Sequence, residues 1–259
     1  VMGVVNVTPD SFSDGGAYLD ASRAIAHART LMAEGAAIID IGGESTRPGS
    51  EGVSADEELA RILPVLDALS GAEAAISVDT SKPEVMRAAL AHGADMINDV
   101  NGFRAPGALE AVAGSNAALC IMHMQGEPRT MQLAPHYDDV VREVGAFLAG
   151  RAEAAERMGI ARSRIVIDPG FGFGKTLQHN LELLRTLGEI AALGWPVLAG
   201  LSRKSMLGTI TGRPVGERIH ASVAAALLAV LNGARIVRVH DVAATRDALA
   251  VLDALRGGA

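Results

Sequence analysis

The chain has 259 residues, 49% of them hydrophobic, and a formal net charge of −7. The negative charge argues against nonspecific binding to nucleic acid, and the lack of an uncharged apolar run of about 18 residues argues against a transmembrane helix, so we expect no membrane partner. We expect no signal peptide, because the N-terminus has no basic segment and no cleavage site. Its abrupt start in an apolar run suggests that a few residues before the first strand are absent. The single cysteine, Cys120, excludes an internal disulfide and fits a reducing, cytoplasmic compartment.

Eight short apolar runs alternate with amphipathic stretches of helical length. Near-continuous apolar strands that alternate with helices are typical of a parallel sheet. Eight such units in about 250 residues favour one closed (β/α)8 TIM barrel over a doubly wound sheet. Because no linker or composition break interrupts the alternation, we predict a single domain over 1–259. The predicted strands are 2–7, 37–42, 75–80, 95–100, 118–124, 164–170, 196–202 and 235–241.

The stretch "DPGFGFGKT", at the end of the sixth predicted strand, partly matches two phosphate-binding patterns. The phosphate-binding loop requires glycine where Pro169 stands, and the dinucleotide fingerprint requires glycine where Lys175 stands. We therefore interpret Asp168 as the residue of this stretch that takes part in the chemistry, and Phe173 as an aromatic wall of the pocket. The glycines let the backbone turn sharply, and Lys175 with Thr176 opens the next helix.

Polar or ionisable residues end every predicted strand. In a barrel of this kind the active site is built at the carboxyl ends of the strands. One aspartate after a strand is as often a helix N-cap, but eight polar strand ends make that a poor explanation for the whole set. The residues are Asn6, Asp40, Asp79, Asn98 with Asp99, His123, Asp168, the segment 202–205, and Arg238 with His240.

The types of charge divide these residues in two. Asp79, Asn98 and Asp168 offer acceptors and an amide, which suit the N–H groups of a flat heterocycle such as an aminopyrimidine. Donors for an anion come from Arg47, Arg203, Lys204, Arg238 and His240.

The segment "SRKS" predicts a short helix after strand 7, where backbone N–H groups, Lys204 and Ser205 would bind an anion. A solvated surface position is the alternative for Arg203 and for Lys175.

Metal and nucleophile signals are weak. The seven histidines include no His-x-x-x-His pair and there is no cysteine cluster, so we predict no zinc site. Magnesium shared with a substrate phosphate needs only one or two protein ligands and leaves almost no sequence trace. His123 is either a catalytic residue or a hydrogen-bonded histidine at a strand end.

Seven segments lie in order along essentially the whole chain, namely "NVTPDSFSDGG", "DIGGESTRPGS", "SVDTSKP", "INDVNG", "IDPGFGFGKT", "GLSRKSMLG" and "RVHDV". Together they resemble the dihydropteroate synthase family. The resemblance implies a (β/α)8 barrel, usually a homodimer, that joins 6-hydroxymethyl-7,8-dihydropterin diphosphate to 4-aminobenzoate with Mg²⁺ present. The implied products are 7,8-dihydropteroate and diphosphate, and the implied pathway is folate biosynthesis. Diphosphate is expected to depart first, and the amine then attacks a pterin-stabilised cation.

The resemblance also implies three sets of site residues. The pterin set is Asp79, Asn98, Met122, Asp168 and Lys204. The diphosphate set is Asn6, Thr46, Arg47, Arg238 and His240, with Asn6 also facing the metal. The aminobenzoate set is Phe12, Pro48, Phe173 and Ser205. The expected catalytic residues are Asp14, near the pterin methylene, with Arg47, Lys204, Arg238 and His240. This division predicts that Arg238→Ala weakens diphosphate binding and spares the free pterin.

Two other functions share part of this pattern. A pterin-binding barrel that passes a methyl group from methyltetrahydrofolate to a corrinoid protein would not need Arg47, Arg238 and His240. A noncatalytic pterin-binding paralogue would show losses in the first and second loops, yet "NVTPDSFSDGG" and "STRPGS" are intact. We expect both loops to be mobile until substrates order them.

Overall fold

The computed structural model describes residues 1–8, 17–45, 50 and 52–257. Eight parallel strands follow one another around a closed barrel, and β1 pairs with β8 to complete it. The predicted (β/α)8 TIM barrel is therefore confirmed, with a strand in each predicted position. The strands are β1 Met2–Asn6, β2 Ile38–Gly42, β3 Ala75–Asp79, β4 Met96–Asp99, β5 Ala118–Met122, β6 Ile165–Asp168, β7 Val197–Ala199 and β8 Ala234–Val239.

Helices follow the strands, with two in succession after β6 and again after β7. Side-chain caps fix several of their starts, since Ser54 caps α2 and Asp139 caps α5. None of the helices in the described ranges has the length and apolar character needed to cross a bilayer. They are α1 Ala17–Ala33, α2 Ala55–Ala68, α3 Pro83–Ala91, α4 Ala108–Ala113, α5 Val140–Arg157, α6 Leu177–Arg185, α7 Leu187–Ala191, α8 Ser205–Thr211, α9 Ile219–Leu231 and α10 Val242–Leu255.

The barrel interior contains an apolar layer, which we call the barrel floor. Alternate residues of a strand point to the same face, so each floor residue lies below a residue two positions later that lines the mouth of the barrel. Met96 thus lies below Asn98, and Val166 lies below Asp168. The floor residues are Met2, Met96, Cys120, Val166 and Leu198.

The loop after β6 makes the sharp turns that its glycines predict. Gly170, Gly172 and Gly174 all have positive φ, at 68°, 79° and 62°. A Cβ atom on Gly170 would lie 1.9 Å from the carbonyl oxygen of His123, and one on Gly174 would lie 2.4 Å from that of Gln125. Both conformation and close approach therefore require glycine at these two positions.

Candidate active site

A cavity of about 520 Å³ lies at the carboxyl ends of the strands. All ten residues of the pterin, diphosphate, aminobenzoate and catalytic sets that fall within the described ranges line it, whereas the strand-end residues Asp40, Asp99 and His123 do not. The ten are Asn6, Asp79, Asn98, Met122, Asp168, Phe173, Lys204, Ser205, Arg238 and His240. The other five lie outside the described residues, as do most of the two loops that carry them; they are Phe12, Asp14, Thr46, Arg47 and Pro48.

Arg238, on β8, joins two carboxylates across the barrel. Its Nε donates to Oδ2 of Asp40 at 2.6 Å, and its Nη2 donates to Oδ2 of Asp79 at 3.1 Å. Although burial opposes the charge, Asp40 and Asp79 raise the pKa of Arg238. The guanidinium therefore stays charged, and the two carboxylates share one cation.

Asp40 is a residue whose role the sequence did not reveal. It is fully buried and does not line the cavity, but its Oδ2 also accepts from Nδ2 of Asn98 at 3.1 Å. It therefore positions both Arg238 and Asn98. The available signal was a charged residue in the middle of the apolar run "IIDIG", because buried charges are almost always paired.

Asp79 and Asn98 present acceptors at neighbouring strand ends. The amide nitrogen of Asn98 donates one of its two N–H groups to Asp40, and its carbonyl oxygen is left for a ligand. Within the described part of the chain, Oδ1 of Asp79 is buried without a hydrogen-bond partner. Burial also raises the pKa of Asp79. Since an unpaired buried acceptor is costly, this oxygen is suited to a ligand N–H group.

Asp168 and Lys204 bring opposite charges to the other side of the cavity. Oδ1 of Asp168 accepts from the backbone N–H of Gly170 at 2.7 Å, and burial raises the pKa of Asp168 to about 6. Lys204 directly precedes the short helix α8, as predicted, and burial lowers its pKa to about 8. Its Nζ lies 4.1 Å from the centre of the Phe173 ring, which is cation–π distance.

His240 and Ser202 form the rim beside β7 and β8. Oγ of Ser202 lies 2.9 Å from Nδ1 of His240 and accepts from the backbone N–H of His240 at 3.2 Å. Arg203 is only partly exposed and is bound by Asp241 through two hydrogen bonds, at 3.1 and 2.6 Å. Ser202 thus orients His240, while the guanidinium of Arg203 is engaged by a carboxylate.

The interpretation of Lys175 as a solvated surface residue is wrong. Its side chain is buried, at 3% exposure, and its Nζ lies 3.0 Å from Nδ1 of His123. Burial and the nearby Lys175 lower the pKa of His123 to about 3, so this imidazole is neutral and hydrogen-bonded, in favour of the second alternative for His123. Thr176 caps α6, as the interpretation of this stretch predicts.

Comparison with known proteins defines the class first. Residues 2–240 match the family described as pterin binding enzyme. The part of the site that agrees with this class is the set of hydrogen-bond acceptors on adjacent strand ends of the closed barrel.

Three proteins define the family more narrowly. Dihydropteroate synthase of Escherichia coli (strain K12) is 50% identical over 255 residues, which cover 98% of this chain and 90% of the relative. The solved structure of Xanthomonas albilineans dihydropteroate synthase with 4-aminobenzoic acid has a TM-score of 0.93 and 54% identity, covering 98% and 92% of the two chains. The Burkholderia cenocepacia dihydropteroate synthase complexed with 7,8-dihydropteroate has a TM-score of 0.90 and 53% identity, covering 99% and 91%. The chain belongs to the dihydropteroate synthase family and is an enzyme of the transferase class.

Proposed function

We propose that this chain condenses 6-hydroxymethyl-7,8-dihydropterin diphosphate with 4-aminobenzoate to give 7,8-dihydropteroate and diphosphate. The observation that carries the proposal is one cavity that holds buried acceptors, among them Oδ1 of Asp79, next to a cluster of cations. Relatives of this chain bind 4-aminobenzoic acid and 7,8-dihydropteroate. The same cavity would therefore receive both substrates.

The pterin ring is placed against the carboxylates. Asp79, Asn98 and Asp168 accept hydrogen bonds from the N–H groups along one edge of the ring, and a carboxylate between two such groups makes a charge-assisted contact. Lys204 donates to an acceptor on the ring. Met122, which is buried and lines the cavity, supplies an apolar contact.

The diphosphate is placed against Arg238, His240 and Asn6. Within the described ranges, Asp40 and Asp79 engage two of the five N–H donors of Arg238, and the other three would bind diphosphate oxygens. Thr46 and Arg47 join this set by their motif.

Magnesium fits the end of β1. The side chain of Asn6 lines the cavity and offers the hard oxygen that Mg²⁺ prefers. Within the described ranges no group of three or more His, Cys, Asp or Glu residues could hold a metal, and an ion shared with the diphosphate needs only one or two protein ligands. Asn6 would hold Mg²⁺ together with the diphosphate, and the ion would neutralise charge on the leaving group.

The chemistry needs positioning and charge neutralisation. An electron-rich dihydropterin stabilises positive charge at its exocyclic methylene, so diphosphate leaves before the amine attacks. Arg238, His240 and Arg47 neutralise the leaving group, while Asp79 and Asp168, with Asp14 by its motif, hold the cation.

The arylamine nitrogen is already unprotonated at neutral pH, so the reaction needs no strong general base. The aminobenzoate ring is placed beside Phe173 and Ser205, with Phe12 and Pro48 joining them by their motifs.

The test is release of diphosphate from the pterin diphosphate, 4-aminobenzoate and Mg²⁺. We expect release by the natural chain and by Asp56→Ala, which removes an exposed carboxylate on α2, and none by Asp168→Ala. A correctly folded natural chain that releases no diphosphate would overturn the proposal. Methyl transfer from methyltetrahydrofolate in the same preparation would favour the corrinoid-dependent alternative.

A homodimer is part of the proposal. Large apolar side chains are exposed on α8, α9 and α10, and α9 packs against both of the other helices, so we propose that these side chains form the association surface. Sedimentation equilibrium should give a dimer, and Leu231→Lys should give a monomer. A monomeric natural chain at micromolar concentration would contradict this. The exposed residues are Ile210, Leu228, Leu231, Val251 and Leu255.

A cytoplasmic location belongs to the same proposal. It rests on Cys120, which is a buried free thiol and fits a reducing compartment.

A further inference from the structure

Lys175 is buried beside the cavity, yet the proposed reaction gives it no task. Its Nζ lies 3.0 Å from Nδ1 of His123 and donates to the carbonyl oxygens of Gly170 and Phe173, each at 3.0 Å. A fourth and longer contact, at 3.4 Å, joins Nζ to the carbonyl oxygen of His123. An ammonium group has three donors, and the three contacts at 3.0 Å account for them. A neutral amine has two N–H donors and would still bond to both carbonyls.

These contacts join the loop after β6 to the end of β5. Gly170 and Phe173 lie at the two ends of a tight turn, since the N–H of Phe173 donates to the carbonyl oxygen of Gly170 at 3.1 Å. His123 directly follows β5. The amino group of Lys175 therefore ties both ends of the turn to the neighbouring strand, while the middle of the turn is held separately, since the N–H of Gly172 donates to Oδ1 of Asn180 at 2.7 Å.

Phe173 depends on this anchor more than Asp168 does. Asp168 is a strand residue that pairs with Met122, and its carbonyl oxygen accepts from the N–H of His123 at 3.0 Å. Phe173 lies on the loop between β6 and α6, and its carbonyl oxygen is bonded to Lys175. Loss of the Lys175 amine would therefore displace the ring of Phe173 before it displaced Asp168.

We propose that Lys175 is a positioning residue that holds Phe173 in place as a wall of the cavity for the second substrate. The assignment of that substrate as 4-aminobenzoate rests on the proposed function. Since Asp168 is held by its strand, the effect falls more on the aminobenzoate region than on the pterin region, which Phe173 reaches through its contact with Nζ of Lys204.

Lys175→Met keeps the length of the side chain and removes its donors. We expect kcat/KM for 4-aminobenzoate to fall about ten- to a hundredfold, because small displacements of positioning groups have effects of that size. Free-pterin affinity, measured by calorimetry, should change by less than about threefold, since that affinity depends on contacts the strand retains. Lys175→Gln, which keeps two N–H donors, should restore part of the loss and replaces Lys175→Met if the latter does not fold.

Arg164→Met is the matched control at the opposite end of β6. Like Lys175, Arg164 donates hydrogen bonds to backbone carbonyl oxygens. It is partly buried, and its Nε donates to the carbonyl oxygen of Ala117 at 2.8 Å. The Arg164→Met substitution should lower the melting temperature without a selective rise in the KM for 4-aminobenzoate. A loss in Lys175→Met that affects pterin affinity and 4-aminobenzoate alike would mean a merely structural role and would overturn the proposal.

A second measurement does not depend on activity. The chain has five phenylalanines, so fluorine NMR of fluorophenylalanine-labelled protein should resolve Phe173, assigned by Phe173→Leu. Its signal should shift or broaden in Lys175→Met and recover in part in Lys175→Gln. An unchanged signal would overturn the positioning role. If the natural chain releases no diphosphate, the proposed function fails, while this signal still decides the role of Lys175.

Discussion

The floor and the mouth of the barrel are built on the same strands from opposite kinds of residue. Met96 and Val166 fill the floor, and two positions later Asn98 and Asp168 line the cavity. Burial of the floor stabilises the fold, because apolar surface leaves water. Burial of charges at the mouth has a desolvation cost and is kept where the groups are paired or bind a ligand. On these strands, a residue that stabilises the fold and a residue that lines the binding cavity are therefore two positions apart.

The largest expected effect is at Arg238, which contributes both to the stability of the fold and to the binding site. Arg238→Ala leaves Asp40 and Asp79 buried without their shared cation, and we expect the free energy of unfolding in urea to fall by about 3–5 kcal/mol. Free pterin should also bind more weakly, because Asp79 loses its partner. This differs from the prediction made from the sequence, in which Arg238→Ala spares the free pterin.

Arg203→Ala is the comparison for that variant. Arg203 pairs with Asp241 at the edge of the site with partial exposure, so its loss should cost about 0–1 kcal/mol. Equal losses of stability in Arg203→Ala and Arg238→Ala would show that the buried position of Arg238 has no special weight.

Asp168→Ala should affect binding and not stability. One edge of the pterin loses a buried, charged partner, which corresponds to about 2–4 kcal/mol of binding free energy. Calorimetry with the free pterin measures this loss. Unchanged affinity would remove Asp168 from the pterin set, and a matching loss of unfolding free energy would remove the distinction between mouth and floor.

Cys120→Ser tests the floor, where we expect the reverse of the Asp168→Ala result, namely a loss of stability without a loss of binding. It places a hydroxyl among Met96, Val166 and Leu198, and we expect a loss of about 1–3 kcal/mol of unfolding free energy with pterin affinity unchanged. Cys120→Ala separates the effect of the hydroxyl from that of the missing volume. Weaker pterin binding in Cys120→Ser at full stability would mean that the floor also shapes the site.

The smallest perturbation needs no substitution. The chain has only three lysines, so NMR of labelled lysine side chains should resolve each one. Burial lowers the pKa of Lys175 from 10.5 to about 7 and that of Lys204 to about 8. Although burial opposes it, Glu44 and Glu58 raise the pKa of Lys82.

The sign of the resulting pH dependence follows from proton binding. Between about pH 7 and pH 10.5 the unfolded chain binds more protons at Lys175 than the folded chain does, so this group's contribution to stability rises with pH in that window. A Lys175 signal that titrates near 10.5 would contradict its burial.

The fold and the described part of the site were predictable from the sequence because both follow from local patterns. Strand positions follow from apolar runs, and the polar cavity residues follow from the polar residues that end those runs, whereas Met122 and Phe173 follow from the family resemblance. The role of Asp40 was not predictable in this way, since its partner Arg238 is 198 positions away in the chain. Lys175 was misjudged for the same reason, because its contact with His123 spans 52 positions.

The predictions on the first two loops stay predictions. Phe12 and Asp14 lie in the first loop and Thr46, Arg47 and Pro48 in the second, all outside the described residues. Their roles rest on motifs alone.

The glycines of "DPGFGFGKT" affect how a saturation-mutagenesis scan of this chain should be interpreted. At Gly170 any β-carbon would collide with a backbone carbonyl at 1.9 Å, and at Gly174 with another at 2.4 Å, whereas at Gly172 it would meet only the flexible end of Lys204 at 3.2 Å. Selection should therefore deplete substitutions at 170 and 174 as strongly as at Asp168, with 172 somewhat more tolerant. Depletion at 170 and 174 would then report lack of space and backbone conformation, whereas depletion at Asp168 would report ligand binding.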